Sequence, residues 1–332
     1  MPKSASLPII GPFSSAEAIQ IEIEKDRVSS NHRPAVLALA RGFSTRQLKP
    51  FILSLRQFNK DCEIVIFCEN LSQETCSFLT QNNVSLVPFR ASDYGLEFNI
   101  HNSRHFAILD WLLHRLKDNR LPGQLMLTDI RDVVFQSDPF SQKIEAIEFF
   151  LEHNTPSIGR CVANSSWIKR CFGDDELNRL FEKTISCSGT IFSTGVDAIK
   201  YLMLMQKFLL SFSDETKRTI CDQGIHNYIL YNSLLPNIIT RKNGDRVLTV
   251  GYVPTDEMYI TNTNIFYGSE LLKPAVIHQW DRNPVAHQMV LRLYQAEPGL
   301  MEFLYLTYRK NTRKKFTLNN LRRLLKNYLS RN

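Results

Sequence analysis

Residues 125–140 read LMLTDIRDVVFQSDPF and combine an apolar strand pattern with three acidic residues. The stretch opens with Leu125 to Leu127, a short apolar run typical of a strand that is covered on both faces. Asp129 and Asp132 follow it, and Asp138 comes after a second apolar run. Two carboxylates at this spacing repel each other unless a positive charge lies between them. The stretch therefore predicts a buried strand whose acidic carboxyl end faces a positively charged partner.

The segments before this strand alternate between strand and helix patterns. Strands are expected at residues 34–40, 61–68 and 84–89, and helices at residues 44–59, 71–79 and 102–116. Strands and helices that alternate at short spacing are typical of α/β proteins, in which a mainly parallel sheet has helices on both faces. We therefore predict an α/β fold with a mixed, mainly parallel sheet.

The second half of the chain has a less regular pattern. Strands are expected at residues 147–151, 188–192 and 275–278, and helices at residues 196–212, 222–231 and 284–294. No internal repeat and no Pro/Gly-rich linker divides the sequence. We therefore expect one domain over residues 31–300, preceded by an extension at residues 1–30 and followed by a basic, helical tail at residues 301–332.

The composition is that of a soluble globular protein. The chain has 332 residues, of which 43% are hydrophobic and 22% are charged. No apolar run approaches the ~20 residues that cross a membrane. The N-terminus lacks the apolar core of a signal peptide, so we expect a cytoplasmic protein. The seven cysteines form no CxxC pair, which favours reduced thiols over a disulfide framework or a zinc site.

The formal net charge of +7 comes from the C-terminal tail. Residues 303–332 carry nine basic residues and no acidic residue, so the rest of the chain is close to neutral. In residues 309–326 the basic side chains alternate with apolar ones. This pattern indicates either a helix that binds an anionic membrane surface or a solvated helix that packs on the rest of the protein. The body lacks the basic and aromatic surface of a nucleic-acid binder, so no nucleic acid is expected.

The acidic strand end is a candidate metal site. Ligands of open α/β sheets bind outside the carboxyl ends of the strands, where Asp129 and Asp132 are expected to lie. Carboxylates suit Mg²⁺ or Mn²⁺, and His278, at the end of another expected strand, could join them around Mn²⁺. The alternative is that Asp129 caps a turn, Asp132 pairs with Arg131 and His278 is structural.

Two further stretches carry polar residues at the ends of regular elements. In KTISCSGTIFSTG, residues 183–195, the backbone at Ser188 and Gly189 can approach a ligand closely, or it can serve tight strand packing. In CDQGIHNYIL, residues 221–230, Asp222 and Gln223 open an apolar helix, and Asp222 could also be a simple N-cap. The chain has neither the GxGxxG nor the GxxxxGK[ST] motif.

Four of these stretches, in this order, resemble the motifs of GT-A fold glycosyltransferases. TDIRDVVFQSDPF resembles the metal-binding DxD-type motif, and CSGTIFSTG resembles the NSG segment near donor and acceptor. DQGIHNYIL resembles the DQ(D)xxN segment of the retaining branch that includes glycogenin and lipopolysaccharide galactosyltransferases, and VIHQWDRNP resembles the late His motif. The resemblance covers roughly residues 34–290. Cys187 replaces the Asn of the family, and Gly224 replaces an Asp that some members have.

The resemblance implies a GT-A (Rossmann-like) fold. It also implies transfer of a sugar from a nucleotide-sugar, with a UDP-sugar as the most expected donor, to a hydroxyl of a glycan, lipid or protein. The transfer would retain the anomeric configuration. The implied metal is Mn²⁺ or Mg²⁺, held by Asp129, Asp132 and His278. The implied donor-binding residues are Arg104, Thr128, Ser188 and Gly189. The implied catalytic residues are Gln223, facing the anomeric carbon, and Asp222, orienting the acceptor or its neighbours.

Other interpretations stay open. A GT-A protein could keep nucleotide-sugar binding without turnover. A sugar nucleotidyltransferase is less favoured, because the loop ARGFSTRQ at residues 40–47 has a single glycine. Arg104 could be a solvent-exposed arginine, and Trp167 could either stack on a sugar or anchor the packing of its segment. If residues 309–326 bind an anionic membrane, the protein would work at the inner face of that membrane.

Overall fold

The computed structural model describes residues 32–90, 92 and 99–295, which form a mixed α/β structure. Its strands are β1 (Ala35–Arg41), β2 (Glu63–Glu69), β3 (Val84–Pro88), β4 (Leu125–Thr128), β5 (Val133–Phe135), β6 (Glu148–Leu151), β7 (Ser186–Ser193), β8 (Ile239–Arg241), β9 (Val247–Thr249), β10 (Met258–Ile260), β11 (Ile265–Tyr267) and β12 (Val276–His278). Its α-helices are α1 (Thr45–Phe58), α2 (Gln73–Gln81), α3 (Ile100–Lys117), α4 (Val162–Leu180), α5 (Gly195–Ser211), α6 (Asp214–Lys217), α7 (Asp222–Tyr231) and α8 (Pro284–Tyr294).

A seven-stranded sheet in the order β3-β2-β1-β4-β7-β6-β8 forms the centre of the fold. Neighbouring strands are parallel except at β7, which runs antiparallel to both β4 and β6. The predicted mixed, mainly parallel sheet is therefore confirmed. Because β7 is reversed, its first residues lie beside the carboxyl end of β4, where Thr128 pairs with Thr190.

Helices cover both faces of this sheet, as the apolar runs of the strands predict. On one face, alternate strand residues such as Leu37, Val65 and Leu127 pack against α3, α5 and α7. On the other face, intervening residues such as Val36 and Ile64 pack against α1. Each strand thus buries side chains in two hydrophobic clusters, and burial at about 25 cal/mol per Å² of apolar surface makes these clusters the main source of stability.

Helix α1 begins with a capping box. The Ser44 side chain accepts a hydrogen bond from the Gln47 backbone N–H, and the Gln47 side chain accepts one from the Ser44 backbone N–H. Two N–H groups that the first turn leaves without helical partners are satisfied in this way. The cap fixes where the loop after β1 ends and α1 begins.

A smaller sheet in the order β5-β12-β9 lies beside the central one. Strand β12 pairs antiparallel with β5 and parallel with β9. Helix α8 packs on this sheet, and apolar residues such as Ile277, Trp280 and Val290 form a separate hydrophobic cluster there. The four residues 129–132 connect the last residue of β4 to the first of β5, so they cross from one sheet to the other.

Helix α4 was not predicted from the sequence. It contains several polar and charged residues, and at Gly173 the backbone leaves the helical region with a φ of 87°. The three-residue strands β5 and β8 to β11 were also not predicted. Strands β5, β8 and β9 depend on pairing with distant segments, whereas β10 and β11 pair with each other across a short connection. Three residues are too few to show a periodicity.

Several expectations fall on other parts of the chain. The extension at residues 1–30 and the tail at residues 301–332, including residues 309–326, lie outside the described residues. Within the described part, no helix is long and apolar enough to cross a bilayer. All seven cysteines are free thiols, as expected.

Candidate functional site

Asp129, Asp132 and His278 come together where the two sheets meet. One potential ligand atom from each residue lies within 4.8 Å of those of the other two. The imidazole Nε2 of His278 is 3.6 Å from Asp129 Oδ2 and 3.9 Å from Asp132 Oδ1. Two carboxylate oxygens and an imidazole nitrogen at this spacing form a donor set that suits Mn²⁺ or Mg²⁺.

The strand pairing explains why residues so far apart in sequence meet here. The Asp129 backbone N–H donates to the Gly189 carbonyl at 2.8 Å, which extends the β4–β7 pairing to the start of the acidic segment. On the other side, His278 pairs with Val133 in the antiparallel β5–β12 ladder, so it lies next to Asp132. The reversed strand β7 and the small sheet thus place the three side chains together.

His278 is held so that one ring nitrogen faces the carboxylates. Its Nδ1 lies 3.3 Å from the Cys187 Sγ and 3.4 Å from the Thr249 hydroxyl. Its Nε2 is buried and has no hydrogen-bond partner among the described residues. A ring whose far nitrogen is fixed by its neighbours is the usual arrangement of a metal-binding histidine. Cys187, which replaces the Asn of the family resemblance, is therefore one of the two groups that orient this ring.

Gly189 leaves the space that a ligand at this cluster needs. A Cβ atom at this position would lie 2.7 Å from Asp129 Oδ2 and 2.9 Å from His278 Nε2. Carbon atoms do not approach these atoms so closely in folded proteins. The absence of a side chain therefore keeps the face between the carboxylate and the imidazole open, and the residues present fit a divalent cation.

The pKa values of the two carboxylates of the cluster are shifted in opposite directions. Burial raises the pKa of Asp129, but Arg104 and His278 outweigh it and hold the pKa well below the ordinary value. Burial raises the pKa of Asp132, and His278 offsets this effect only in part. Burial alone would lower the pKa of His278, yet Cys187 and the carboxylates raise it well above the ordinary value. The cluster therefore favours a positive charge between its acids.

Arg104 connects the cluster to the start of α7. Its guanidinium donates to Asp129 Oδ1 and, at 2.7 Å, to Asp222 Oδ2. The Arg104 side chain is only 12% exposed, so it is not the solvent-exposed arginine of the alternative interpretation. Burial would raise the pKa of Asp222, but Arg104 and His105 lower it to about 2. Asp222 is therefore a buried, ionised carboxylate that holds Arg104.

Gln223 is oriented by residues that the sequence did not indicate. Its Nε2 donates to Asn164 Oδ1 at 3.1 Å, and Asn164 in turn donates to the Cys161 Sγ at 3.2 Å. Glu152, a carboxyl that is 4% exposed, lies near enough for the Gln223 amide to lower its pKa against the effect of burial. The bond to Asn164 fixes the orientation of the Gln223 amide, whose oxygen can then interact with a ligand.

These residues surround a cavity of about 410 Å³, within the range of small-molecule sites. Seven of the nine predicted site residues line it: Arg104, Thr128, Asp129, Asp132, Ser188, Asp222 and Gln223. Gly189 and His278 lie directly behind the Asp129 carboxylate. Further lining residues come from the end of β1 (Leu39, Arg41 and Phe43), from α4 (Trp167) and from the segment after β12 (Gln279 and Arg282).

Three residues that shape this site were not predicted from the sequence. Glu152 is a single acid after a short strand, Asn164 lies in a polar segment, and Thr249 ends a three-residue strand. None belongs to a motif or to a periodic pattern. Burial is the signal that identifies Glu152 and Asn164, since polar side chains that are less than 5% exposed are held there by partners.

The solved structures that are similar to this chain include two of the galactosyltransferase LgtC and one of the glycosyltransferase WbbM. The galactosyltransferase LgtC in complex with donor and acceptor sugar analogues is 10% identical at a TM-score of 0.48, over 80% of this chain and 97% of LgtC. An active-site mutant of LgtC is 11% identical at a TM-score of 0.49, with the same coverage. The apo structure of the bifunctional glycosyltransferase WbbM is 13% identical at a TM-score of 0.50, over 82% of this chain and 51% of WbbM.

These comparisons show the fold. No protein-family model and no curated protein sequence matches the chain. The likeness to WbbM, of which this chain spans about half the length, and the order of the central sheet confirm the predicted GT-A fold. Because one fold supports many activities, the function has to be argued from the site itself.

Proposed function

We propose that this protein is a metal-dependent glycosyltransferase that moves a sugar from a nucleotide-sugar to an acceptor hydroxyl with retention of anomeric configuration. The observation that carries this proposal is the cluster of Asp129, Asp132 and His278, whose two carboxylates line a cavity at the carboxyl ends of the strands. The GT-A fold supports it, since the solved structures similar to this chain include the bifunctional glycosyltransferase WbbM.

Asp129, Asp132 and His278 would hold Mn²⁺, or Mg²⁺, and Gly189 would give the ion access to them. When bound, such an ion neutralises the negative charge that develops on a departing diphosphate. Arg104 adds a fixed positive charge beside Asp129. Thr128 and Ser188 line the same part of the cavity, and their hydroxyls can hydrogen-bond a donor.

The order of the strands places the lining residues in two groups, on either side of β4, and these groups are called the two arms of the cavity. One arm lies at the end of β1, next to β4 in the sheet, where Leu39 and Phe43 offer apolar surface for a planar base and Arg41 offers charge. The other arm lies on the β7 side, where Asp222 and Gln223 open α7. Polar side chains of this kind suit sugar hydroxyls. A UDP-sugar is the donor we expect to span the two arms.

Gln223 is the residue proposed to face the anomeric carbon. In the transfer, the acceptor oxygen bonds to that carbon, the bond from the carbon to the diphosphate oxygen breaks, and the hydroxyl proton leaves with the diphosphate. A carboxamide is a poor nucleophile, so its oxygen would stabilise positive charge at the carbon, and the bond to Asn164 keeps that oxygen in place. NMR of the first-formed product tests the stereochemistry, and an inverted product would refute retention.

A panel of nucleotides and metals tests the proposal. Purified protein is combined with UDP-, GDP-, ADP- and dTDP-sugars, each with Mn²⁺, Mg²⁺ or EDTA, and both the melting temperature and the release of nucleoside diphosphate are followed. We expect one nucleotide-sugar to raise the melting temperature only when a divalent ion is present. The same nucleotide-sugar should slowly release its nucleoside diphosphate. Stabilisation without release, even with diverse acceptors, would identify a binding protein. No response to any nucleotide would refute the proposed function.

Asp132→Asn provides the matching variant. It should abolish metal-dependent turnover and leave the fold intact, because it removes one ligand charge at constant side-chain size. Asp118→Asn is the control, since Asp118 is an exposed residue at the end of α3 whose partner is Arg120. Full activity of Asp132→Asn would remove the metal assignment.

Residues 309–326 are proposed to bind an anionic membrane surface, which would suit a lipid-linked or glycan acceptor at the inner face of a membrane. The support is the alternation of basic and apolar residues in the sequence. Flotation with anionic liposomes tests it, using the full chain and a variant that lacks residues 309–332. Equal flotation of the two proteins would discard the idea.

A further inference from the structure

Trp167 differs from the other two tryptophans of the chain in what its ring contacts. Trp280 is 2% exposed, belongs to the cluster under α8 and stacks on His287. Trp111 packs against the main core and under the Arg115 guanidinium. The half-buried indole of Trp167 belongs to none of the hydrophobic clusters of the described residues, and it lines the cavity instead.

The packing of α4 does not depend on this indole. A Cβ atom at Gly224 would lie 3.0 Å from the Trp167 Cβ and 3.3 Å from its carbonyl carbon, so the two helices touch at backbone distance there. Ile168, the next residue, is fully buried in the small cluster under α4. Gly224 and Ile168 thus position the helix, and the Trp167 ring extends from it to the cavity wall.

The surroundings of Trp167 combine apolar and polar surface. Ile220, 36% exposed, lines the same cavity, and so do Asp222 and Gln223 at the start of α7. Asn164, one helical turn before Trp167, is the residue that holds Gln223. A pyranose ring has the same mixed character, with C–H groups on its faces and hydroxyl groups around its edge. Aromatic rings bind such faces through apolar contact and through their negative π surface.

We propose that Trp167 and the neighbouring cavity wall form an acceptor-sugar subsite, in which the indole stacks on a pyranose and directs one of its hydroxyls toward Gln223. This inference rests on the proposed glycosyl transfer and narrows it, because it makes the acceptor a glycan rather than a protein side chain or a simple alcohol. The diphosphate end of the donor belongs to the acidic cluster, so the α4 side of the cavity is the side on which a second sugar can meet the first.

Saccharide binding can be measured without turnover. Methyl glycosides of glucose, galactose, mannose and N-acetylglucosamine, with glycerol as a non-sugar alcohol, are titrated into the full chain while tryptophan emission is recorded. Mn²⁺ and the nucleoside diphosphate that binds best are present throughout. Glycoside binding is then detected even if the acceptor binds only after the nucleotide. We expect a saturable change with at least one glycoside and none with glycerol.

The variants assign that change to Trp167. Trp167→Ala and Trp167→Leu should weaken glycoside binding, followed by calorimetry, by about tenfold or more, and Trp167→Phe should recover most of it. The affinity for the nucleoside diphosphate should stay at the wild-type value in all three, which also shows that they are folded. Val162→Ala, on the same helix at a residue that is 87% exposed, is the control.

Two results would overturn the subsite. One is glycoside binding in Trp167→Ala and Trp167→Leu that equals the wild type. The other is a wild-type protein that binds a nucleotide with Mn²⁺ but binds no glycoside saturably. Failure of nucleotide binding itself would be a failure of the proposed function, and the separate nucleotide titration distinguishes the two cases.

Discussion

A methyl group at Gly189 would occupy the space between Asp129 and His278. We predict that Gly189→Ala weakens Mn²⁺ binding by about tenfold or more, because the new carbon would lie 2.7 Å from Asp129 Oδ2 and 2.9 Å from His278 Nε2 and must displace one of them. Calorimetric titration with Mn²⁺ measures this effect. His278→Ala provides the reference for complete loss of a ligand. An unchanged Mn²⁺ affinity in Gly189→Ala would show that the ion binds elsewhere.

Glu152 is predicted to make stability fall as the pH rises. Burial raises its pKa to about 7 from the ordinary 4.5, against the effects of His278 and Cys187. Because the folded protein binds this proton more tightly than the unfolded chain, the stabilisation is complete below pH 4.5 and is lost as the pH rises through 7. The difference amounts to roughly 3 kcal/mol.

Glu152→Gln should remove this dependence and make the protein more stable than the wild type at pH 8, by up to about 3 kcal/mol. Urea unfolding at pH 5 and pH 8 in EDTA measures the difference. Glu145→Gln is the control, because Glu145 is exposed and pairs only with Lys143 among the described residues. Parallel pH profiles for wild type and Glu152→Gln would contradict the assignment.

Site residues that follow strands could be predicted from the sequence. Site residues that are recognised only by their burial could not. Asp129, Asp132 and His278 could be brought together from sequence because each ends or follows an apolar run, and the structure places their ligand atoms within 4.8 Å. Glu152 and Asn164 follow no such rule. The contact of Asn164 with Gln223 depends on how α4 packs against α7, and the position of Glu152 depends on the pairing of β6 with β7. Local sequence determines neither.

Gly224 sets the distance between α4 and α7, and this contact can be tested at the level of the two helices. We predict that Gly224→Val destabilises the protein by about 1–3 kcal/mol, since its side chain would meet the Trp167 backbone at 3.3 to 3.5 Å or less. Gly224→Ala, with a single methyl group, should cost less. Urea denaturation compares the two variants.

The same pair of variants separates packing from binding. Gly224→Val should also weaken glycoside binding, because it moves Trp167, while Mn²⁺ affinity at the strand ends stays unchanged. The larger side chain would also move Asn164 on α4 away from Gln223 on α7. The rate of sugar transfer should therefore fall as well. A Gly224→Val protein with wild-type stability would mean that the helices separate without cost, against the close packing expected of a protein interior.

Regular elements with strong periodicity were predictable, and those formed by long-range pairing were not. The strands and helices up to β4 follow their apolar patterns closely, since each buries a face against the core. Helix α4 is polar and interrupted at Gly173, and strands β5 and β8 to β11 have three residues each. The small sheet that carries His278 exists because distant segments pair, and only the structure shows that pairing.

For the whole molecule, a cation at the cluster would join two separately packed parts. Asp129 follows the central sheet, while His278 ends a strand of the small sheet, whose hydrophobic cluster with α8 is distinct. We predict that Mn²⁺ at about 100 times its dissociation constant adds about 2.7 kcal/mol of stability, and that EDTA removes it. Thermal unfolding with and without EDTA measures this change.

Hydrogen exchange locates the effect. Removal of the ion should speed amide exchange in β12 and α8 more than in β2, because β2 packs in the central sheet away from the cluster. His278→Ala should show the faster exchange with or without Mn²⁺. Equal protection of β12 in EDTA and Mn²⁺ would show that the two sheets hold together without help from the ion.

The first half of α4 reaches the cavity without belonging to either sheet, so its exposed positions can change without disturbing the strand pairing. Residues 162–172 carry Asn164 and Trp167 on one face, whereas the strand ends that carry the acids are constrained by pairing and by packing on both sides. A mutational library restricted to this short segment, with Asn164 and Ile168 kept because they hold Gln223 and the helix, should therefore shift preference among acceptors while donor use is inherited unchanged.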